Sequence, residues 1–244
     1  MRLRRIMAAT CILLLGIMSS VFARGTNKLA GVSPKTYTIS VVPQYNLVQL
    51  HTEWAPLIAR IARESGISLQ LQLAKTIPQF ESTVFAGEPD FAYLNPYHAV
   101  IAKRAQAYLP ILRDANTLKG ILVVRRDSTL NSIKELEGKA IGFPAPNAFG
   151  ASLYMRALLS AEPISFQSQF LTTHSNVYRS VLNGSVAAGG GVNTTFDDEP
   201  QEVKSQLRIL YQTPESASHP LVAHPRVPPH VVKAVSEAFF RLQK

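Results

Sequence analysis

Gly87-Glu-Pro-Asp-Phe-Ala-Tyr-Leu-Asn-Pro-Tyr97 compresses three elements into eleven residues. Gly87 closes a helix read over Pro78 to Ala86, Asp90 to Leu94 is a short buried strand, and Pro96 opens a helix running to Ala107. Proline suits a first turn because its missing N–H has no partner there, and glycine suits a helix end that needs positive φ. A strand that turns straight into a helix marks an α/β chain. Upstream, Tyr37 to Val42 is a strand stopped by Pro43. Trp54 to Ser65 puts Leu57, Ile58, Ile61 and Ala62 on one helical face before Gly66, and Ile67 to Leu73 alternates strictly, as a strand does. This β-α-β-α-β-α order predicts parallel strands covered by helices.

A second set follows. Gly120 to Val124, Lys139 to Phe143, Ser165 to Phe170, Val186 to Val192 and Leu207 to Tyr211 read as strands. Between them lie helices over Leu130 to Leu136, Ala151 to Ser160, Asn176 to Leu182 and Glu202 to Gln206, and a loop from Pro144 to Gly150. Thr213 to Pro229 is rich in Pro and His and reads as irregular; Val231 to Leu242 is a final amphipathic helix. Two similar sets predict two lobes, each a mostly parallel sheet flanked by helices. Residues 36–118 with 220–244 form the first and 119–219 the second, with hinge crossings near 118–121 and 211–222. A ligand cleft belongs between them.

The chain has 244 residues, 46% of them apolar and 17% charged, which excludes a disordered or coiled-coil chain. Arg2, Arg4 and Arg5 precede an uncharged run from Ile6 to Val21, and a cleavage point follows Ala23, so residues 1–23 read as a secretory signal peptide. The apolar run is too short for the ~20 residues of a membrane span. Export to the periplasm follows, with residues 24–35 as a linker. Losing three arginines takes the formal charge from +9 to about +6. The basic residues are scattered rather than gathered into a stripe, so nucleic acid is excluded as a partner. The single cysteine, Cys11, lies in the signal segment and offers no disulfide or metal framework. The chain lacks a Gly-x-Ser-x-Gly elbow, a Gly-Lys-Ser/Thr phosphate loop and a His-Glu-x-x-His pair, and His219, His224 and His230 have no metal-site spacing. We expect no enzyme, no catalytic residue, no cofactor and no metal, and a monomer.

Candidate ligand contacts gather where strands end. Tyr45 follows the first strand, and Asn95 and Tyr97 sit on a strand-to-helix turn, whereas Tyr93 packs in the core. Asn147, Ala148, Phe149 and Gly150 form the loop before a helix, whose free amides and dipole suit an anion. His174 is a candidate donor to an anion, or else a neutral residue capping its helix. Gly189-Gly190-Gly191 admits a ligand or a neighbouring backbone closely, and Asn193, Thr194 and Thr195 after it offer polar groups.

Four segments together resemble the phosphonate/phosphite-binding periplasmic proteins of ABC transporters, a branch of the type II binding-protein fold. They are Trp54-Ala-Pro-Leu57, Gly87 to Tyr97, the Asp127-Ser to Leu136-Glu-Gly-Lys139 stretch, and His174 with Asn183-Gly184-Ser-Val186. The resemblance spans about Tyr37 to Leu242. It implies a protein that closes two lobes on a small anionic ligand, phosphonate-like or another oxyanion, and hands it to an ABC permease; the alternatives are a ligand-sensing domain signalling to a membrane sensor and, behind it, a small-molecule enzyme on the same fold. In the family, serine and threonine hydroxyls line the loop occupied here by Ala148 and Phe149, and an acid stands where this chain has Ala187. Two lost hydrogen bonds to a charged ligand amount to ~3–6 kcal/mol.

Overall fold

A computed structural model describes residues 35–242. The expected signal peptide 1–23, the linker except its last residue, and the chain end at Lys244 lie outside the described residues. The first lobe is built on a five-stranded sheet. Its elements are β1 (Tyr37–Val41), α1 (Leu47–Ser65), β2 (Leu69–Leu73), α2 (Ile77–Phe85), β3 (Phe91–Tyr93), α3 (Pro96–Gln106) and β4 (Leu109–Arg113). The second sheet follows with β5 (Gly120–Arg125), a 3-10 turn (Ile133–Leu136), β6 (Ala140–Phe143), a π-helical turn (Phe149–Tyr154), α4 (Met155–Leu159), β7 (Gln167–Phe170) and α5 (His174–Leu182). Then come β8 (Ala188–Val192), α6 (Asn193–Asp197), α7 (Gln201–Lys204) and β9 (Leu207–Gln212). The chain returns to the first sheet with β10 (Pro220–Ala223) and α8 (Pro229–Arg241).

The strand orders are β2-β1-β3-β10-β4 and β7-β6-β8-β5-β9. β1 runs parallel to β2 and β3, and β6 to β7 and β8, while β10 and β5 run antiparallel to both of their neighbours. Each sheet is therefore mixed, because each contains one strand laid in against the βαβ direction. The structure corrects four readings. α1 begins at Leu47, not Trp54, because the side chain of Asn46 accepts from the Gln49 amide at 3.0 Å and starts the helix two turns earlier, with Leu50 buried in its first turn. β4 went unseen behind Pro110, which is tolerated on a sheet edge beside a bulge. β10 lies inside the stretch read as irregular, with Pro220 as its first residue. The glycine-rich β8 leads directly into α6 rather than into a turn.

Ile58 and Ile61 of α1 and Val231 and Val235 of α8 cover one face of the first sheet. On its other face, Ile77, Phe80 and Val84 of α2 form a cluster that continues into the second lobe through Ala145, Ala148 and Ala151. Tyr178 and Val181 of α5 and Leu136, Met155 and Leu159 fill opposite faces of the second sheet. The two segments linking the sheets, residues 114–119 and 213–219, are tied by reciprocal bonds between Leu118 and Ser216.

One ionic group pins the first lobe. Asp90 accepts from the Thr38 amide at 2.9 Å and from Arg226 Nε at 2.7 Å, while Arg226 also donates to the carbonyls of Gly87 and Glu88. Burial by itself would raise the Asp90 carboxyl; the Arg226 and Thr38 bonds outweigh it and hold the group below its usual range. A depressed carboxylate stabilises the fold above the unfolded value of 3.8 and loses that contribution as pH falls through its folded value. Arg226→Ala is expected to lower stability by about 3 kcal/mol, read from the urea midpoint at neutral pH.

Candidate functional site

The site is assembled around the turn after β6. Pro144 and Ala145 are buried, residues 146 and 147 turn, and Ala148 keeps extended backbone before the π-helical turn begins. The Ala148 carbonyl accepts from both Ser152 N–H and Leu153 N–H, so the amides of Phe149, Gly150 and Ala151 precede the first hydrogen-bonded turn. Among the described residues no acceptor is paired with them. Two glycines let this turn sit directly on the sheet. A Cβ on Gly190 would stand 2.1 Å from the Ala151 carbonyl oxygen, and one on Gly120 2.2 Å from that of Gly150. The run Gly189 to Gly191 thus admits neighbouring backbone and the Tyr178 hydroxyl.

Between the lobes, this turn closes over a cavity of about 10 Å³. Gln44, Ile77, Asn95 and His219 line it from the first lobe and the adjoining crossing; residues 148–151, His174 and Val192 line it from the second. None of the residues lining it is a carboxylate, lysine or arginine. Two hydrogen bonds clasp the lobes beside it. Asn95 Nδ2 donates to the Asn147 carbonyl at 3.0 Å, and Tyr45 Oη donates to Asp198 Oδ2 at 2.5 Å. Burial, followed by the bond to Asp198, pushes the Tyr45 hydroxyl far above its ordinary range, so it stays a donor.

His174 is neutral here. Burial, then the nearby His219, pushes it down to about 3, and burial, then His98, pushes His219 down to about 4. Thr173, not His174, caps α5. His174 Nδ1 lies 3.0 Å from Thr195 Oγ1, which is also 3.1 Å from the Val192 carbonyl. The Tyr178 hydroxyl also lies 3.0 Å from Thr195 Oγ1, so His174, Thr195 and Tyr178 form one buried hydrogen-bonded chain behind the cavity.

Of the residues singled out by sequence, Asn95, Ala148, Phe149, Gly150 and His174 meet at the cavity. Tyr45 and Thr194 instead line a neighbouring cleft of about 180 Å³ with Trp54, Tyr93 and His219. Asn147 contributes its carbonyl to the clasp. Tyr97 packs near His98, with ring centroids 5.9 Å apart. Asn193 ties a crossing segment, accepting from the Lys119 amide and donating to the Thr117 carbonyl. Ala187 is remote from the cavity, bonded to Ala140 at the opposite end of the β6–β8 ladder, so its lack of an acid does not alter this cavity. Sequence reading missed Gln44, Ile77 and His219 as wall residues. Gln44 beside Tyr45 carried the same end-of-strand signal; His219 carried none, since β10 was not recognised. Among the described residues no group of His, Cys, Asp or Glu could hold a metal, and no helix is long and apolar enough to cross a membrane.

Two βα lobes joined by paired crossings, with unpaired amides at the cleft between them, define a type II periplasmic solute-binding protein. The chain belongs to the family described as "ABC transporter, phosphonate, periplasmic substrate-binding protein", whose profile matches residues 39–244. That family consists of transport binding proteins rather than enzymes. The chain is 22% identical to the phosphate-import protein PhnD of Mycolicibacterium smegmatis, over 95% of this chain and 79% of that one. Its fold is similar to PhnD1 of Prochlorococcus marinus in complex with methylphosphonate, with TM-score 0.77, 17% identity and 84% of each chain covered. It is also similar to the binding component of an ABC phosphonate transporter from Pseudomonas aeruginosa, with TM-score 0.72 and 16% identity over 85% of this chain and 74% of that one.

Proposed function

We propose that the chain, exported by residues 1–23, captures a small tetrahedral oxyanion at the amides of Phe149, Gly150 and Ala151 and delivers it to an ABC permease. The observation that carries this reading is three unpaired amides at a helix start, opening on a cavity with no carboxylate. Such amides, aided by the helix dipole, attract negative charge without side-chain hydroxyls. Phosphonate and phosphate, the ligands that the relatives' names and titles mention, share this chemistry.

The cavity is the size of one water, so a ligand enters only when the lobes part. The crossings at residues 114–119 and 213–219 serve as the hinge, and the Asn95–Asn147 and Tyr45–Asp198 bonds open and re-form with it.

The test is thermal unfolding of residues 24–244 with methylphosphonate, phosphite, phosphate, sulfate and the uncharged dimethyl methylphosphonate. At a hundredfold excess over Kd, a bound anion adds about 2.7 kcal/mol and raises Tm by several degrees. Shifts with the phospho-anions and none with the neutral ester support the reading. No shift with any anion overturns it, and turnover of a ligand overturns the binding-protein role.

A further inference from the structure

Beside the amide cavity lies the larger cleft, about 180 Å³ against about 10 Å³, and the two share Gln44 and His219 as walls. An anion held at the amides therefore has room beyond that wall for an organic substituent.

The cleft has its own chemistry. Three aromatic side chains border it: Tyr45 after β1, Trp54 of α1 and Tyr93 at the end of β3. The Trp54 and Tyr93 rings lie 4.9 Å apart between centroids, tilted by 46°. The charged residue on the walls is Asp114, and no lysine or arginine lines the cleft. One Asp114 oxygen accepts from the Asn116 amide at 2.8 Å. Lys119 of the same crossing is paired with Glu215, and Asp114 enters no ion pair among the described residues. Its charge is felt inside the cleft: burial first, then Asp114, pushes the Tyr93 hydroxyl up to about 12.

We propose that this cleft is a cation subsite: the captured oxyanion carries an organic arm ending in a methylated ammonium, held among Tyr45, Trp54 and Tyr93 with Asp114 as its counter-charge. This rests on the oxyanion reading above and deepens it by naming the ligand class, a zwitterion. Aromatic rings attract a cation electrostatically, and tryptophan does so best. A trimethylammonium spreads its charge over methyl groups, so it takes ring and carboxylate surface without needing hydrogen-bond acceptors. A primary ammonium needs converging acceptors, and the Asp114 carbonyl is already taken by the Ser218 hydroxyl at 2.6 Å. A second acid on the arm would meet Asp114 with no cation to offset it. The two charges of the ligand are thus sorted by separate walls, one without a carboxylate and one without a base. Thr194 of the second lobe closes the cleft against the first-lobe rings, so the arm, like the head, favours the closed form.

The experiment is calorimetry of residues 24–244 at pH 7.5 with two ligands of matched shape. One is (trimethylammonio)ethylphosphonate; the other is its carbon analogue, with a neutral tert-butyl group in place of the trimethylammonium. The cationic ligand is expected to bind about tenfold tighter. Asp114→Asn keeps the oxygen that accepts the Asn116 amide and removes the charge. Trp54→Leu removes an aromatic wall. Each is expected to lower the ratio of the two affinities at least threefold, which a merely structural residue would not do, since it would weaken both ligands alike. Should Trp54→Leu fail to fold, the exposed Asp114→Asn decides. Equal binding of the two phosphonates overturns the cation subsite and leaves the oxyanion reading intact. Failure of every phosphonate to bind, while tetramethylammonium alone raises Tm, overturns the oxyanion reading and keeps the aromatic subsite. Failure of both kinds of probe overturns both.

Discussion

Asn95→Asp is expected to weaken methylphosphonate binding at least a hundredfold at pH 7.5 while leaving α3 in place. Asn95 does two jobs in one buried side chain. Its Oδ1 accepts from the His98 amide and caps α3, and its Nδ2 donates across the lobes to the Asn147 carbonyl. Aspartate keeps the cap but loses the donor and sets a negative charge against a carbonyl and against the proposed oxyanion. Loss of a hydrogen bond to a charged or buried acceptor accounts for about 1.5–3 kcal/mol, and the unpaired buried charge adds to it. Burial raises such a carboxyl, so it regains a proton, and with it a donor to Asn147, as the solution is acidified. The defect therefore shrinks between pH 7.5 and 5, which thermal unfolding and calorimetry at the two pH values check. Asn95→Ser keeps a capping oxygen without the charge and is expected to fall between the two. Equal binding by Asn95→Asp and the unsubstituted chain would remove Asn95 from the site.

Gly190→Ala is expected to lower Tm by roughly 5–10 °C and to lose measurable anion binding, although Gly190 touches no ligand. Its Cβ would meet the Ala151 carbonyl oxygen at 2.1 Å and the Phe143 ring at 2.6 Å, so the turn at residues 148–151 must lift off the sheet. Overpacking of this kind costs about 1–3 kcal/mol, and backbone that cannot swing aside belongs at the upper end. Gly184→Ala is the control: Gly184 has φ of +77° with open space around it, so a strain cost near 1 kcal/mol is expected with unchanged binding. Both variants are read by thermal unfolding and by methylphosphonate titration.

The two cases show where sequence reading succeeds and stops. The turn from Asn147 to Gly150 was legible because a strand must end and a helix must begin there, which leaves amides free whatever the side chains are. His174 was legible as the start of a helix, but its charge was not. Protonation depends on water excluded by residues far away in sequence and on His219, which stands near it only in the folded chain. The clasp made by Tyr45 was not legible, because only the closed lobes bring Asp198 to its hydroxyl across 153 positions of chain.

By itself the amino-acid order determined the α/β class, two strand-and-helix sets, the N-terminal export segment as an expectation, and the loop that offers amides. These follow from periodicity, capping and punctuation, which act between residues a few positions apart. The tertiary structure alone decided that β10 is inserted antiparallel into the first sheet, that His219 joins His174 on the cavity, and that Gly120 and Gly190 form the floor beneath the turn at residues 148–151. Those depend on long-range strand insertion and on close backbone contact, and a one-dimensional pattern carries neither distance.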